Sequence, residues 1–242
     1  MYAGCTFIVL FLCALETAIA VTPSFINGKV EVIDTNLTGP ESIFDLELNS
    51  TVTSDHVVCT GVGSRTELHD RGLIIRLGAN TVVQKKSDIT YWLHSGSVLI
   101  CAKDPTEFRI NSIRSSAGFK GRGTIIVEST ANGGFKLIPL EVKGNFTTEN
   151  GGEKEARSGQ LLFVIEKPSN FGDAYDIDLM LLLRSSHLVN SYPDPLPTFG
   201  RVGLAIYSQE LKLKGKYRTL PRCAPTTGEE WSISTSRACW CA

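Results

Sequence analysis

Between residues 51 and 165 turn-forming residues cut the chain into short apolar runs, and that punctuation limits what it can fold into. The runs fall at 57–59, 65–68, 73–77 (LIIRL), 82–83, 90–93, 97–101 (SVLIC), 108–113, 124–128, 135–142 and 160–165. Between them lie Gly, Asn, Asp and Ser at 61–64, 70–72, 78–80, 95–96, 132–134, 149–152 and 158–159. Such spacing predicts an all-β fold of stacked short antiparallel strands, either a twisted solenoid-like stack or a sandwich. No run is followed by a helical segment of the length a parallel crossover requires.

The flanks differ from this middle. Residues 28–34 (GKVEVID) alternate apolar and polar side chains, the period-2 signal of a half-buried strand. Residues 168–173 read as a turn-rich break, and 175–186 (YDIDLMLLLRSS) as one helix, capped by Asp173 or Asp176, with Ile177, Met180, Leu181 and Leu183 near helical spacing. Three prolines make 191–200 an extended loop, and 202–207 and 210–213 read as two more strands. The chain therefore divides into a leader (1–20), an N-terminal strand segment (21–50), a β domain (51–167), a C-terminal extension (168–222) and a cysteine-containing tail (223–242).

The leader rests on a nine-residue apolar run, 7–15 (FIVLFLCAL), followed by Ala18 and Ala20 at the spacing a signal peptidase reads. The run is shorter than the ~20 apolar residues that cross a bilayer, so no stable membrane span is expected after cleavage at Ala20. The expected location is periplasmic or secreted. The leader holds one acid, Glu16, and no base, which leaves 24 Lys and Arg against 24 Asp and Glu. That balance offers no basic surface for nucleic acid or for an anionic membrane.

Five cysteines follow the leader: Cys59, Cys101, Cys223, Cys239 and Cys241. In an oxidising compartment some of them pair. Cys59 and Cys101 each follow an apolar pair in a strand-like run, and either bridge neighbouring strands or act as small buried hydrophobes. Cys223 with Cys239 or Cys241 would close the C-terminal tail, contributing roughly 2–4 kcal/mol. Cys-Trp-Cys is too tightly spaced for a structural zinc site.

Candidate chemistry is sparse, and no catalytic, cofactor or metal site is assigned. The histidines, His56, His69, His94 and His187, have no second ligand at metal spacing on one element, and His69-Asp70 reads as a turn. Residues 95–97 lack the context of a nucleophile elbow. Residues 118–124 (GFKGRGT) lack the ending and the following helix of a phosphate loop, so Lys120 and Arg122, with Arg114, form at most a local anion patch on a turn. Asp45 with Glu47, or Asp176 with Asp178, are carboxylate pairs with nothing to place them in a cleft. Asn36, Asn49 and Asn145 open glycosylation sequons.

Residues 59–160 resemble the FecR domain of bacterial iron-siderophore regulators. The likeness is carried by Thr60-Gly61, Ser64-Arg65 with Glu67-Leu68, Leu77-Gly78-Ala79-Asn80-Thr81, and Leu93 to Ser97 around Gly96. It continues through Arg109 to Ser112, Gly121 and Gly123-Thr124, Leu140 to Gly144, and Gly159-Gln160. Most of these residues have the character of turn and register determinants, and Arg65 and Glu67 are expected on a solvent face. The resemblance does not reach the anti-sigma bundle or membrane helix of those regulators. It implies an exported, non-catalytic binding or sensing module of envelope signalling whose partner is a protein or surface polymer. A structural envelope or matrix protein is the alternative, and a carbohydrate-active enzyme a more distant one.

Overall fold

The computed structural model describes residues 20–165, 170–194, 196, 232–234 and 239–241. The expected all-β class holds. Fifteen strands form one mixed, mostly antiparallel sheet that does not close. They are β1 (Ala20–Asn27), β2 (Val30–Asp34), β3 (Ile43–Asp45), β4 (Val52–Thr53), β5 (His56–Thr60), β6 (Arg65–Asp70), β7 (Leu73–Leu77), β8 (Val82–Lys85) and β9 (Thr90–Ser95). Next come β10 (Ser97–Asn111), β11 (Ser116–Ser129), β12 (Phe135–Thr148), β13 (Glu153–Glu155), β14 (Gln160–Ile165) and β15 (Asn170–Asp176). Two short helices follow, α1 (Leu179–Ser185) and α2 (His187–Asn190), and the tail contributes a small hairpin, β16 (Ser232–Ser234) with β17 (Cys239–Cys241).

The sheet forks at β10. The first part of β10, Val98 to Ala102, pairs with β7, which leads to β6, β1 and β4. Its last residues, Arg109 to Asn111, pair in parallel with β9, which leads to β8, β5, β2 and β3. These two arms share one apolar core, with Val21, Leu68, Ile75 and Leu77 from the first and Val32, Val58, Val83 and Leu93 from the second. The arrangement is therefore an open sandwich: the chain crosses between the arms at residues 28–29, 46–51, 54–55, 61–64 and 78–81, and β10 to β12 run through both layers.

That crossing explains why the sequence pattern shows broken runs where the structure has long strands. The expected strands at 97–101 and 108–113 are the two ends of β10, bent where Lys103, Asp104 and Pro105 have no partner on β11. Strands that switch layers turn such corners by bulges, and a proline is tolerated where no ladder bond is needed. The glycine-rich 118–124, expected as a turn, lies inside β11 at the same corner. Gly121 and Gly123 have φ of +152° and +131°, and a Cβ on Gly123 would meet Glu141 O at 2.0 Å. Opposite, a Cβ on Gly144 would meet Lys120 O at 2.4 Å. The two backbones press together there, which only glycine permits.

The strand segment expected at 21–50 contributes β1, which joins β6, and β2, which joins β5, to the common sheet. Two further expectations change. Residues 170–176 are strand β15 rather than a break and a helix start, since Tyr175 and Asp176 pair with Leu161 and Gln160 on β14; tertiary pairing overrides the local helical signal. The helix is shorter, and its cap is Asp178, whose Oδ1 accepts from the Leu181 N–H at 3.0 Å. The leader before Ala20, the strands expected at 202–207 and 210–213, and Cys223 lie outside the described residues.

The helices serve a second core. Leu99, Cys101, Ile126, Ile138 and Leu140 face outward from β10, β11 and β12 and meet Leu183, Leu188, Val189 and Leu196. Burial on both faces is why 97–101 and 137–140 are continuous apolar runs. Each helix-side residue contributes roughly 1.5–3 kcal/mol, more than an exposed ion pair supplies, so apolar contact holds this cap on the sheet.

Candidate functional site

The antiparallel register of β6 and β7 sets Glu67 opposite Arg76. Arg76 is 1% exposed and Glu67 5%. Arg76 Nε donates to Glu67 Oε2 at 2.8 Å, while Ser24 Oγ donates to Oε1 at 2.8 Å and His69 Nε2 lies 3.0 Å from the same oxygen. Burial on its own raises the Glu67 carboxyl, but the hydrogen bonds from Arg76, Ser24 and His69 and the Arg76 charge outweigh it and hold the group below its ordinary value. The expected solvent face for Glu67 is thus corrected: it is buried against Ser24 and Arg76, and Arg76 neutralises it.

Arg76 also reaches the cap. Its Nη1 donates to the carbonyls of Leu188 and Val189 at 3.5 and 3.4 Å, and Nη2 donates to Asp194 O. Tyr192 donates its hydroxyl to Leu77 O at 2.7 Å, and burial raises its pKa. One cation thereby satisfies carbonyls at the end of α2 that the short helix leaves open.

Beside this anchor the sheet and the cap enclose a cleft of about 540 Å³. Ser64, Arg65, Gly78, Ala79, Ser97 and Glu128 line it from the sheet, and Leu182, Ser185, His187 and Tyr192 from the cap. Arg65 is half-buried, its guanidinium 5.9 Å from the Phe25 ring centroid, and its Nε has no hydrogen-bond partner. Glu128 pairs with Lys136 at 3.3 Å. Ser64 Oγ accepts from the Lys29 N–H, and Ser185 Oγ donates to Leu181 O, so both hydroxyls already serve the fold. The cleft offers polar and charged contacts to a ligand.

The structure gathers part of the sequence motif here. Ser64, Arg65 and Gly78 line the cleft. Beneath them, Thr60 Oγ1 donates to Gly78 O at 2.5 Å and accepts from the Thr81 N–H at 2.9 Å. Asn80 takes φ +53° and its N–H donates to Gly61 O, while Gly96 turns the β9–β10 link against Thr81. Leu77 is wholly buried in the main core. The remaining motif residues lie apart: Gly121, Gly123, Thr124 and Gly144 at the corner, and Gly159 and Gln160 in the turn entering β14.

The other candidates do not converge. Lys120 and Arg122 sit along β11, whereas Arg114 packs against Gly133, so the three cations form no common patch. Asp45 is on β3 and Glu47 in the following turn; Asp178 is a helix cap. His56 Nε2 lies 3.9 Å from Asp34, and His94 packs against Trp92. Among the described residues no three His, Cys, Asp or Glu side chains group as metal ligands. Cys59 and Cys101 do not bridge each other: Cys59 faces Glu31 and Val82, and Cys101 faces Ile74 and Thr124. Burial, and then the charge of Glu31, push the Cys59 thiol up.

A second buried polar group has no sequence signal. Asp70, expected in a turn, ends β6, where its Oδ2 lies 2.6 Å from Lys85 Nζ and accepts from the Tyr91 hydroxyl. All three side chains are buried, and burial, then the Asp70 charge, raise the Tyr91 phenol well above its ordinary range.

Fold and site together define a class, an open all-β module with a polar cleft under a short helical cap. No protein-family model and no curated protein matches the chain. Among solved structures it is similar to the crystal structure of a candidate anti-sigma factor from Parabacteroides distasonis, with 12% identity and a TM-score of 0.43, over 55% of this chain and 64% of that one. The match thus spans less than two thirds of that protein. No helix among the described residues is long and apolar enough to cross a membrane.

Proposed function

We propose that this chain is an exported, non-catalytic binding module of FecR type that takes an extended segment of a protein partner by strand addition. The observation that carries the reading is the outer edge of β3. Ile43, Phe44 and Asp45 pair with Ile33, Val32 and Glu31 of β2, and among the described residues no strand pairs with their other side. Natural sheet edges are usually blunted with charge; this one carries Ile43, 49% exposed, and Phe44, 44% exposed, with Leu37 and Leu48 exposed nearby. Phe44 is held edge-on against His56, 5.6 Å between centroids. An added strand would gain backbone hydrogen bonds from the edge and apolar contact from these side chains. The FecR-like pattern of residues 59–160 and the leader-like residues 1–20 support the family and the exported location.

The test is selection of extended peptides from a random display library on the full chain, followed by titration of the best binder. Phe44→Lys is expected to weaken binding about tenfold, or 1.4 kcal/mol. Equal affinity for Phe44→Lys, or failure to recover any binder, would sink the proposal. Concentration-dependent self-association in sedimentation, abolished by Phe44→Lys, would favour the structural alternative, with a second copy on the same edge.

A further inference from the structure

We propose that Lys85 and Asp70 condense to an intramolecular isopeptide bond that staples the two arms of the fold, with the Tyr91 hydroxyl assisting at the reacting carboxyl. Asp70 ends β6 in one arm; Lys85 ends β8 in the other, directly opposite Tyr91 on β9. The arms therefore bring an amine and a carboxyl together that lie on separate hairpins. At the surface above them, Arg71 Nη1 pairs with Asp88 Oδ2 at 2.9 Å, joining the turns of the same two hairpins.

As a salt bridge the buried pair is poorly made. Lys85 Nζ lies 2.6 Å from Asp70 Oδ2 without the geometry of a hydrogen bond, and Asp70 Oδ1 has no hydrogen-bond partner. Withdrawing two charges from water costs several kcal/mol per ion, and their attraction offsets this only when the geometry is good and the remaining polar atoms are satisfied. An amide removes both charges and leaves one N–H and one C=O in their place.

The step balances without a co-reactant. A proton passes from Nζ to the carboxyl, and the freed nitrogen lone pair attacks Asp70 Cγ. The Nζ–Cγ bond forms and the Cγ–Oδ2 bond breaks. Oδ2 leaves as water carrying two protons that began on Nζ, and the third stays on the amide. The Tyr91 O–H points at Oδ2, the leaving oxygen, donates to it as the Cγ–Oδ2 bond breaks, and returns to its starting state. Fixed approach of the two groups makes the step intramolecular, and exclusion of water opposes its reversal. The bond can form only after the arms have packed.

Mass spectrometry of the reduced and alkylated full chain tests this. The wild-type protein is expected one water lighter than its unlinked sequence and to give a branched proteolytic peptide joining Lys85 to Asp70. Lys85→Arg and Asp70→Ala should restore the full mass, Asp70→Asn should lose ammonia instead of water, and Tyr91→Phe should slow the reaction. Linear peptides covering both residues from folded wild-type protein at full mass would overturn the proposal. So would loss of water with linear peptides only, which marks a succinimide at Asp70. The wild-type result needs no variant, so a variant that fails to fold leaves the test intact. Peptide binding at β3 is read separately, so the two proposals fail independently.

Discussion

The guanidinium of Arg76 lies over the ring of Tyr192, its carbon 4.4 Å from the ring centroid. The same cation pairs with Glu67 on its own sheet and with carbonyls of the helical cap. Arg76, together with the Tyr192 hydroxyl that donates to Leu77 O, thus ties the register of β6 and β7 to the position of residues 188–194. A planar fork that stacks and donates in several directions suits this task as a lysine would not.

Arg76→Met should leave Glu67 as an uncompensated buried charge and cost about 3–5 kcal/mol. Urea unfolding measures the loss. Hydrogen exchange should show residues 187–194 opening first, because their carbonyl anchors go with the guanidinium. An unchanged midpoint would contradict the arrangement.

The Glu67 carboxyl titrates below its ordinary value of 4.5 when folded. Its contribution to stability is therefore fully present above the unfolded value and is lost as pH falls through the lower folded value. The urea midpoint is expected to drop as pH falls below 4.5, with a shallower slope in Glu67→Gln over the same range.

The corner of the sandwich separates two glycines of similar appearance in the sequence. Gly123→Ala places a Cβ 2.0 Å from Glu141 O at φ +131° and should cost at least about 3 kcal/mol, since both backbones must move. Gly159→Ala, at φ +80° with nothing within 4 Å, should cost about 1 kcal/mol from conformation alone. Thermal unfolding of the two variants side by side checks the ratio.

Asp178→Ala removes the side-chain cap of α1 and should cost about 1 kcal/mol. Because α1 has only seven residues, the effect should appear as faster amide exchange at 179–185 before it appears in global unfolding. Exchange unchanged in that segment would mean that apolar docking alone fixes the helix.

Much of the strand pattern is legible in the chain, because turn residues and apolar runs are local properties. Val58, Ile75, Val83 and Leu93 sit in strands that their own neighbours announce. The long strands are not legible as such: Pro105 and Gly121 look like interruptions, and only their place at the corner makes them part of β10 and β11. The cleft is half legible. Ser64, Arg65 and Gly78 belong to a readable motif, while His187 and Tyr192 come from a segment whose docking no local signal shows. Glu67 reads as solvent-facing from its neighbours until its burial against Arg76 and Ser24 is seen.

What the sequence by itself determined is the all-β class, the punctuation of the sheet and the apolar runs buried on both faces, since these follow from composition and period along one stretch of chain. The tertiary structure alone decided which polar residues would be buried together. Glu67 meets Arg76 through strand register, Arg76 meets Tyr192 across more than a hundred residues, and Asp70 meets Lys85 because two arms close on one core. Burial of a charge depends on what packs over it from elsewhere in the chain, and no local pattern carries that information.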